Sequence, residues 1–198
     1  MFVRVKRYAT SGKWRDSGVR YSLVDNQRTA GPVRQRVVFD LGRYPTVEAA
    51  LGALPVEAAE ARSQAEDCRR RIAQLLEQER QTLRQQEERQ AQHDGRDPDP
   101  RRWAVSELPK PRRAAMNKSS QFRCRCYWTL RKLVPLYEGR AAKQEADLAR
   151  LRQLVAESGL KIDEVAVAQG GHAALAEMAE QKARTGHIFA GLFGTQES

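Results

Sequence analysis

The sequence lacks any long apolar run, and no stretch approaches the roughly 18 consecutive apolar residues that identify a membrane-spanning helix. Its opening residues, MFVRVKRYATSGK, place charges where a secretory signal peptide has an apolar segment. We therefore expect a cytoplasmic protein that neither spans a membrane nor is exported by the secretory route.

Cysteine and histidine are scarce, with three of each. Cys124 and Cys126 are only one residue apart and Cys68 falls in a helical pattern, so we expect no disulfide framework. The Cys124–Cys126 spacing is shorter than that of common zinc-ligand pairs and no second pair follows, which argues against a metal site. The sequence also lacks a phosphate-binding lysine loop and any matched nucleophile and histidine. These absences predict a non-catalytic protein without a cofactor.

Positive charge is what the sequence has in excess, with a formal net charge of +10. Two segments carry all of it: residues 1–43 have ten Lys and Arg against three Asp, and residues 94–140 have twelve against five acidic residues. The segments 44–93 and 141–198 each carry two more acidic than basic residues. Two cationic segments separated by nearly neutral ones predict surfaces that face a polyanion, with nucleic acid as the partner.

Three short segments at the amino terminus have the period-two alternation of half-buried strands: Phe2–Tyr8, Val19–Asn26 and Val33–Leu41. As successive neighbours they predict an antiparallel sheet with one apolar and one cationic face. The predicted apolar face comprises Val3, Val5, Val19, Tyr21, Leu23, Val33, Val37, Phe39 and Leu41. The predicted cationic face comprises Arg4, Lys6, Arg20, Ser22, Arg34 and Arg36, and an alternative interpretation is a merely solvated outer face.

The remaining sequence predicts helices, and the fold class is therefore α+β: a small three-stranded sheet plus a helix, then long helices forming a hairpin or coiled coil. Thr46 can cap a short helix that ends near Leu54, which completes a first region of residues 1–54. Pro55 either begins a second helix, over 55–93, or kinks a continuous one. Residues 94–116 read as a proline-rich basic linker.

A second long helical segment is predicted over 117–158, kinked at Pro135 and stopped at Gly159. After it, residues 159–198 predict short helices interrupted at Gly170-Gly171, and then an apolar tail. The two long segments have apolar seams, which can pair within one chain or between two copies in a homodimer. The tail, with Ile188, Phe189, Leu192 and Phe193, either folds back or docks on a protein partner.

The second basic segment interleaves aromatic and cationic residues at Ser120–Leu133. On a helix, Phe122, Cys126 and Leu130 share a face, which we interpret as the buried one. The flanking cations could clamp phosphates, and Tyr127 or Trp128 could pack on sugars or unstacked bases. These cations are Arg123, Arg125, Arg131 and Lys132. The alternative is a core helix whose basic side chains extend to solvent.

The runs VRVKR and YSLVDNQRTAGPVRQRVVFDLGRYPTVEAAL resemble the amino-terminal β-meander of bacterial insertion-sequence DDE transposases. They are also similar in plan to the arm-type DNA-binding domain of tyrosine integrases, which has three strands, a helix and an LG-x-YP turn. The resemblance covers residues 1–62. Because arm-type domains lay their sheet in the major groove, it implies base or phosphate contacts by the sheet cations. These cations are Arg4, Lys6, Arg20, Arg34 and Arg36, and Arg43 just after the third strand is a further candidate for nucleic-acid contact.

No transposase core or integrase nucleophile domain follows in this sequence. We therefore expect a non-catalytic DNA-binding accessory protein of a mobile or plasmid-like element, whose helices mediate oligomerisation or partner contact. Two alternatives belong to other classes: a coiled-coil scaffold or adaptor protein, and an RNA-binding protein.

Overall fold

The fold is described from a computed structural model that covers residues 1–7, 18–27, 33–111 and 118–192. Three strands precede three long helices, so the predicted α+β class with an amino-terminal antiparallel sheet is confirmed. The elements are β1 (Phe2–Arg7), β2 (Val19–Gln27), β3 (Arg34–Gly42), α1 (Val47–Asp94), a 3₁₀ helix (Pro100–Trp103), α2 (Lys118–Ser158) and α3 (Glu164–Leu192). Residues 112–116 of the predicted linker and 193–198 of the apolar tail lie outside the described residues.

The chain divides into two compact units, and the division falls within α1 and within α2. Unit 1 comprises Met1–Ala59 and Ala142–Ser198, and unit 2 comprises Glu60–Ala141.

In unit 1 the strand order is β1-β2-β3, and all neighbours are antiparallel. Helical segments cover one face of this sheet, because Leu23 and Phe39 pack with Ala50 and Leu54 of α1 and with Leu151 of α2. Leu151 is fully buried and Leu23 is 2% exposed. At about 25 cal/mol per Å² of apolar surface, such side chains each contribute roughly 1.5–3 kcal/mol to folding. The sheet is therefore anchored through its apolar face.

β3 departs from regular alternation because it contains two β-bulges. Leu23 pairs with Phe39 while the next residue, Val24, pairs with Val37, so Val38 is an extra residue on β3. A second shift makes Leu41 an extra residue near the end of the strand. Each extra residue moves the side chains beyond it to the opposite face, because side chains alternate with period two.

α1 is capped as predicted, since the Ala49 backbone NH donates to Thr46 Oγ1 at 3.1 Å. Of the two alternatives predicted at Pro55, the structure has the continuous helix: α1 does not end at Leu54 but runs through Pro55. An interior proline costs about 3 kcal/mol. Here Pro55 is exposed while Leu54 and Ala58 beside it are buried, so packing on both sides of the proline offsets that cost.

α2 ends as predicted, at Gly159 with φ +62°. The predicted interruption at Gly170-Gly171 is wrong, because α3 is one continuous helix. The glycines serve a close approach of two helices within unit 1: a Cβ at Gly170 would lie 2.8 Å from Ala49 Cα. On α1, Gly52 faces the backbone of Val167 and Gly171. Three glycines thus let the backbones of α1 and α3 meet directly.

In unit 2 the parts of α1 and α2 run antiparallel, since Arg69 pairs with Glu138 and Glu79, farther along α1, pairs with Arg123. This is an intramolecular helical hairpin. The segment following α1 packs against both helices: Leu108, 1% exposed, forms a cluster with Cys124 and Tyr127. The predicted linker is thus partly structural.

A buried carboxylate holds the start of that segment. Glu87 accepts hydrogen bonds from Arg96 Nη1 at 2.5 Å, from the Asp99 backbone NH at 3.2 Å and from Arg102 Nη1 at 3.2 Å. The hydrogen bond from Arg96, together with those from Asp99 and Arg102, lowers the pKa of Glu87 to about 2.

We expect Glu87→Gln to destabilise the protein at neutral pH and to have little effect near pH 2. The folded-state pKa lies below the ordinary value of 4.5, so the stabilisation is present above pH 4.5 and is lost as pH falls towards about 2. Denaturant unfolding of both chains across this range measures the difference in the free energy of unfolding. Glu66→Gln is the control, an exposed site on α1 without a hydrogen bond to any described residue. A pH-independent difference for Glu87→Gln would contradict the assignment.

We expect Gly52→Ala to destabilise the protein by roughly 1–3 kcal/mol, the usual cost of inserting a methyl group into a packed contact. The added Cβ would clash with the Val167 carbonyl oxygen and lie 2.6 Å from the Gly171 nitrogen. Thermal unfolding followed by circular dichroism measures the effect.

Gly139→Ala is the matched control, because a Cβ at this helical glycine meets nothing within 4 Å. It should stabilise by about 0.5–1 kcal/mol through the higher helix propensity of alanine. Equal effects at Gly52 and Gly139 would show that close packing does not govern position 52.

Candidate nucleic-acid interface

The sheet face opposite the helices, called here the open face, carries three of the predicted site residues. In the register, Lys6 lies opposite Arg20, and Arg4 lies opposite Ser22, which in turn lies opposite Asp40. Opposed residues share a face of a sheet, so Arg4, Lys6 and Arg20 occupy two adjacent rows. The prediction that these three cations share one face of the sheet is confirmed, and their contact with nucleic acid stays a prediction.

Neighbouring groups only weakly compensate the charge on the open face. Arg20 Nη1 lies 3.8 Å from Asp40 Oδ2, and the two side chains are 64% and 57% exposed. Exposed pairs of this kind contribute roughly 0–1 kcal/mol, so water and salt compete effectively. Arg4 Nη1 donates to the neutral Gln35 Oε1 at 3.4 Å, and no carboxylate among the described residues pairs with this arginine. Lys6 is exposed and makes no polar contact with any described residue.

The prediction that Arg34 and Arg36 share this face is wrong. Arg34 pairs with Gln27 of β2, and Arg36 pairs with Asp25. These two β2 residues alternate with Val24 and Asn26, which lie on the open face, and therefore belong to the other face. The bulge at Val38 shifts the register by one residue and so transfers both arginines to the other face. For the same reason Val37, predicted on the apolar face, is on the open face and is 47% exposed. Val33, just before β3, was also predicted to be apolar-facing and is 56% exposed.

Arg43, predicted to contact nucleic acid, is engaged within unit 1. Its guanidinium forms an ion pair with Glu57 and another with Glu177 of α3, where Nη1 and Oε1 are 2.7 Å apart. Glu57 is buried and also accepts hydrogen bonds from Tyr44 OH and from Gln144 Nε2, the latter at 2.5 Å. This Glu57 network connects the turn after β3 with α1, α2 and α3.

Breaking a fully buried ion pair costs about 3–5 kcal/mol. The Arg43 side chain is 48% exposed, so its charge is partly solvated and the loss of Glu57 costs less than that. In the sequence, Glu57 lies within an alanine-rich helical run, VEAAEA. A glutamate in such a run is indistinguishable from an ordinary exposed residue, so the pattern does not indicate the network. Sequence reasoning missed it because only the tertiary fold brings these five polar side chains together.

The aromatic and basic segment of α2 is also largely engaged, here within unit 2. Tyr127 is 3% exposed, so it cannot stack on a base. Arg123 is paired with Glu79, and Arg131 is paired with Glu107. The Trp128 indole NH donates to the Pro109 carbonyl oxygen at 3.2 Å.

Two of the cations predicted on α2, Arg125 and Lys132, are exposed, and neither has a polar partner among the described residues. They are seven residues apart on the helix and thus lie on one side of it, about 10 Å apart along its axis. The predicted buried stripe is wrong at Phe122, which is 46% exposed, while Cys124 is 3% exposed. The stripe is rotated because Cys124 and Tyr127 pack on Leu108 of the preceding segment.

Unit 2 also contains an open cavity of about 370 Å³, which Tyr127 of this segment helps to line. Arg69 and Arg131 line it, and each is ion-paired, with Glu138 and Glu107 respectively. Its charged groups therefore compensate one another, unlike those of the open face.

Two further observations concern the described part of the chain. Among these residues no group of three His, Cys, Asp or Glu side chains is arranged to hold a metal ion. None of the helices, as far as they are described, is both long enough and apolar enough to cross a membrane.

Comparisons with known proteins found no match to this chain among protein-family models, curated proteins or solved structures.

We expect one of the five tyrosines to titrate near pH 12 in an ultraviolet absorbance titration, and Tyr44→Phe to abolish this step. Burial and then the hydrogen bond to the Glu57 carboxylate raise the pKa of Tyr44 from 10.0 to about 12. Glu57→Gln should lower that pKa, because the carboxylate charge is removed while burial remains. An unchanged titration in Glu57→Gln would exclude the contact between the two side chains.

Proposed function

We propose that this protein is a non-catalytic DNA-binding accessory protein whose open sheet face contacts duplex DNA. The observation that carries the proposal is the charge of that face: Arg4, Lys6 and Arg20 stand against the single carboxylate of Asp40 among the described residues. The opposite face is covered by helices of the same unit. On the open face, Lys6 and Arg20 are exposed, while Ser22 and Val24 at the centre of β2 are buried.

The dimensions of this face suit the major groove. Adjacent strands lie roughly 4.8 Å apart, and the groove, about 12 Å wide, admits a two-stranded β-ribbon. β1 and β2 together supply Arg4, Lys6 and Arg20. With the open face of all three strands laid against the groove, as the resemblance to arm-type domains implies, long cationic side chains reach the phosphates along its edges, while the shorter side chains face the base edges.

A second contact is proposed for unit 2, through Arg125 and Lys132. What supports it is their exposure on one side of α2 without a compensating carboxylate among the described residues. Such cations add salt-sensitive, sequence-independent affinity. Arg43, Arg123 and Arg131 are left out of the proposed interface because each is ion-paired within its own unit.

The biological setting is proposed on the resemblance alone. Residues 1–62 resemble the sheet of insertion-sequence transposases and the arm-type domain of integrases, which favours an accessory role in a mobile or plasmid-like element. On this proposal the helices serve oligomerisation or partner contact.

The salt dependence of DNA binding tests the sheet assignment. Each neutralised phosphate contributes about −0.9 to the slope of log K against log salt concentration, so three sheet cations contribute a slope of roughly −3. We expect Lys6→Ala with Arg20→Ala to flatten the measured slope by about 2, read by fluorescence anisotropy on a random-sequence duplex.

Arg34→Ala with Arg36→Ala is the matched control, because it removes the same charge from the same sheet on its other face. The control should leave the slope nearly unchanged. If both double variants flatten the slope equally, net charge and not the open face governs binding. If wild-type protein does not bind duplex DNA at micromolar concentration, the proposal fails and the adaptor class is favoured. If duplex RNA competes for binding more strongly than duplex DNA does, the RNA-binding alternative is favoured.

A further inference from the structure

The open face also carries groups that are neither charged nor needed for phosphate contact. Asn26 and Gln35 lie opposite each other, and both are exposed. The next row on this face contains Phe2, Val24 and Val37, in which Phe2 is 40% and Val37 is 47% exposed, while Val24 between them is fully buried. An amide row therefore adjoins a row with exposed apolar side chains.

These two kinds of group match the two bases of an A·T pair in the major groove. A side-chain amide can accept from adenine N6 and donate to adenine N7 at the same time, and an apolar side chain packs on the thymine methyl group. Guanine and cytosine offer no methyl group there and a different donor and acceptor pattern.

The spacing of the rows is compatible with neighbouring base pairs. Asn26 and Val24 are two residues apart on β2, hence roughly 6.7 Å apart along the strand. Base pairs are stacked at about 3.4 Å, so a strand lying along the groove brings these rows to positions two base steps apart.

Gln35 is also held in place by a neighbour. Arg4 Nη1 donates to its Oε1 at 3.4 Å, which orients the amide without occupying its NH₂ group. The second lone pair of Oε1 is still available to accept from a base. A side chain oriented before binding loses less conformational entropy when it binds.

We infer that the open face discriminates in favour of A·T base pairs, with Asn26 and Gln35 recognising adenine and Val37 and Phe2 contacting thymine methyl groups. This inference rests on the proposed binding of duplex DNA by the same face, and it adds the sequence class of the DNA.

The first experiment changes only the DNA. Wild-type protein is titrated with an A·T-rich duplex and with the same duplex in which uracil replaces every thymine, a change that removes methyl groups and leaves charge and base pairing intact. We expect binding to the uracil duplex to be weaker by about fourfold for each methyl group contacted. Equal affinity for the two duplexes would overturn the role of the apolar row.

The second experiment changes the protein. Val37→Ala should show a smaller difference in affinity between the thymine and uracil duplexes than the wild type, because one of the two contacting side chains is truncated. Asn26→Ala with Gln35→Ala should lose about tenfold in its preference for A·T-rich over G·C-rich duplex of equal length. Circular dichroism and the salt slope confirm that these variants keep the fold and the phosphate contacts.

The results of these experiments distinguish a failure of the inference from a failure of the proposed function. Tight, salt-dependent binding without any preference between A·T-rich and G·C-rich duplexes overturns the inference and leaves DNA binding by the open face intact. No binding to any duplex overturns both. An A·T preference that persists unchanged in Asn26→Ala with Gln35→Ala and in Val37→Ala assigns base recognition to other residues and overturns the inference.

Discussion

The register shift at Val38 is the constraint on which the two faces of the sheet depend. Val38 is the extra residue of a β-bulge, and Arg150 Nη2 of α2 donates to its carbonyl oxygen at 3.2 Å. A bulge leaves backbone groups without ladder partners, and a partly buried carbonyl without a partner is costly. Arg150 also lies 5.9 Å from the centre of the Phe39 ring, so one side chain satisfies the bulge and covers the core residue beside it. With the bulge in place, Val37 and Gln35 face outwards, while Arg34 and Arg36 are on the other side.

The cations of unit 1 therefore have two different roles. Arg4, Lys6 and Arg20 stay on a face whose single described carboxylate is Asp40, whereas Arg43 is used to hold unit 1 together. In the Glu57 network a buried carboxylate is held by side chains from the turn after β3 and from α2, and the half-exposed Arg43 extends the network to Glu177 of α3. Such clusters add modest net stability but penalise alternative packings strongly, because any displaced partner leaves a buried carboxylate unsatisfied. The network thereby fixes the orientation of α3, and the glycine contact with α1 fixes its distance.

A similar division holds in unit 2. The aromatic and basic pattern of α2 suggested a nucleic-acid surface throughout, but Tyr127 is buried against Leu108 and Arg131 is paired with Glu107. The predicted linker supplies both of these partners. A segment rich in proline and charge can therefore be part of a core when it contributes one large apolar side chain between two helices.

Local pattern alone determined much of this protein: the three strands, the capping by Thr46 and the stop at Gly159. Each of these follows from period, capping or backbone conformation within a few residues. The positions of Arg34 and Arg36, the continuity of α3 through Gly170-Gly171 and the burial of Glu57 were decided by tertiary structure. A bulge, a close helix contact and a polar network all depend on residues far apart in the sequence, and a period of two or of 3.6 carries no information about such partners.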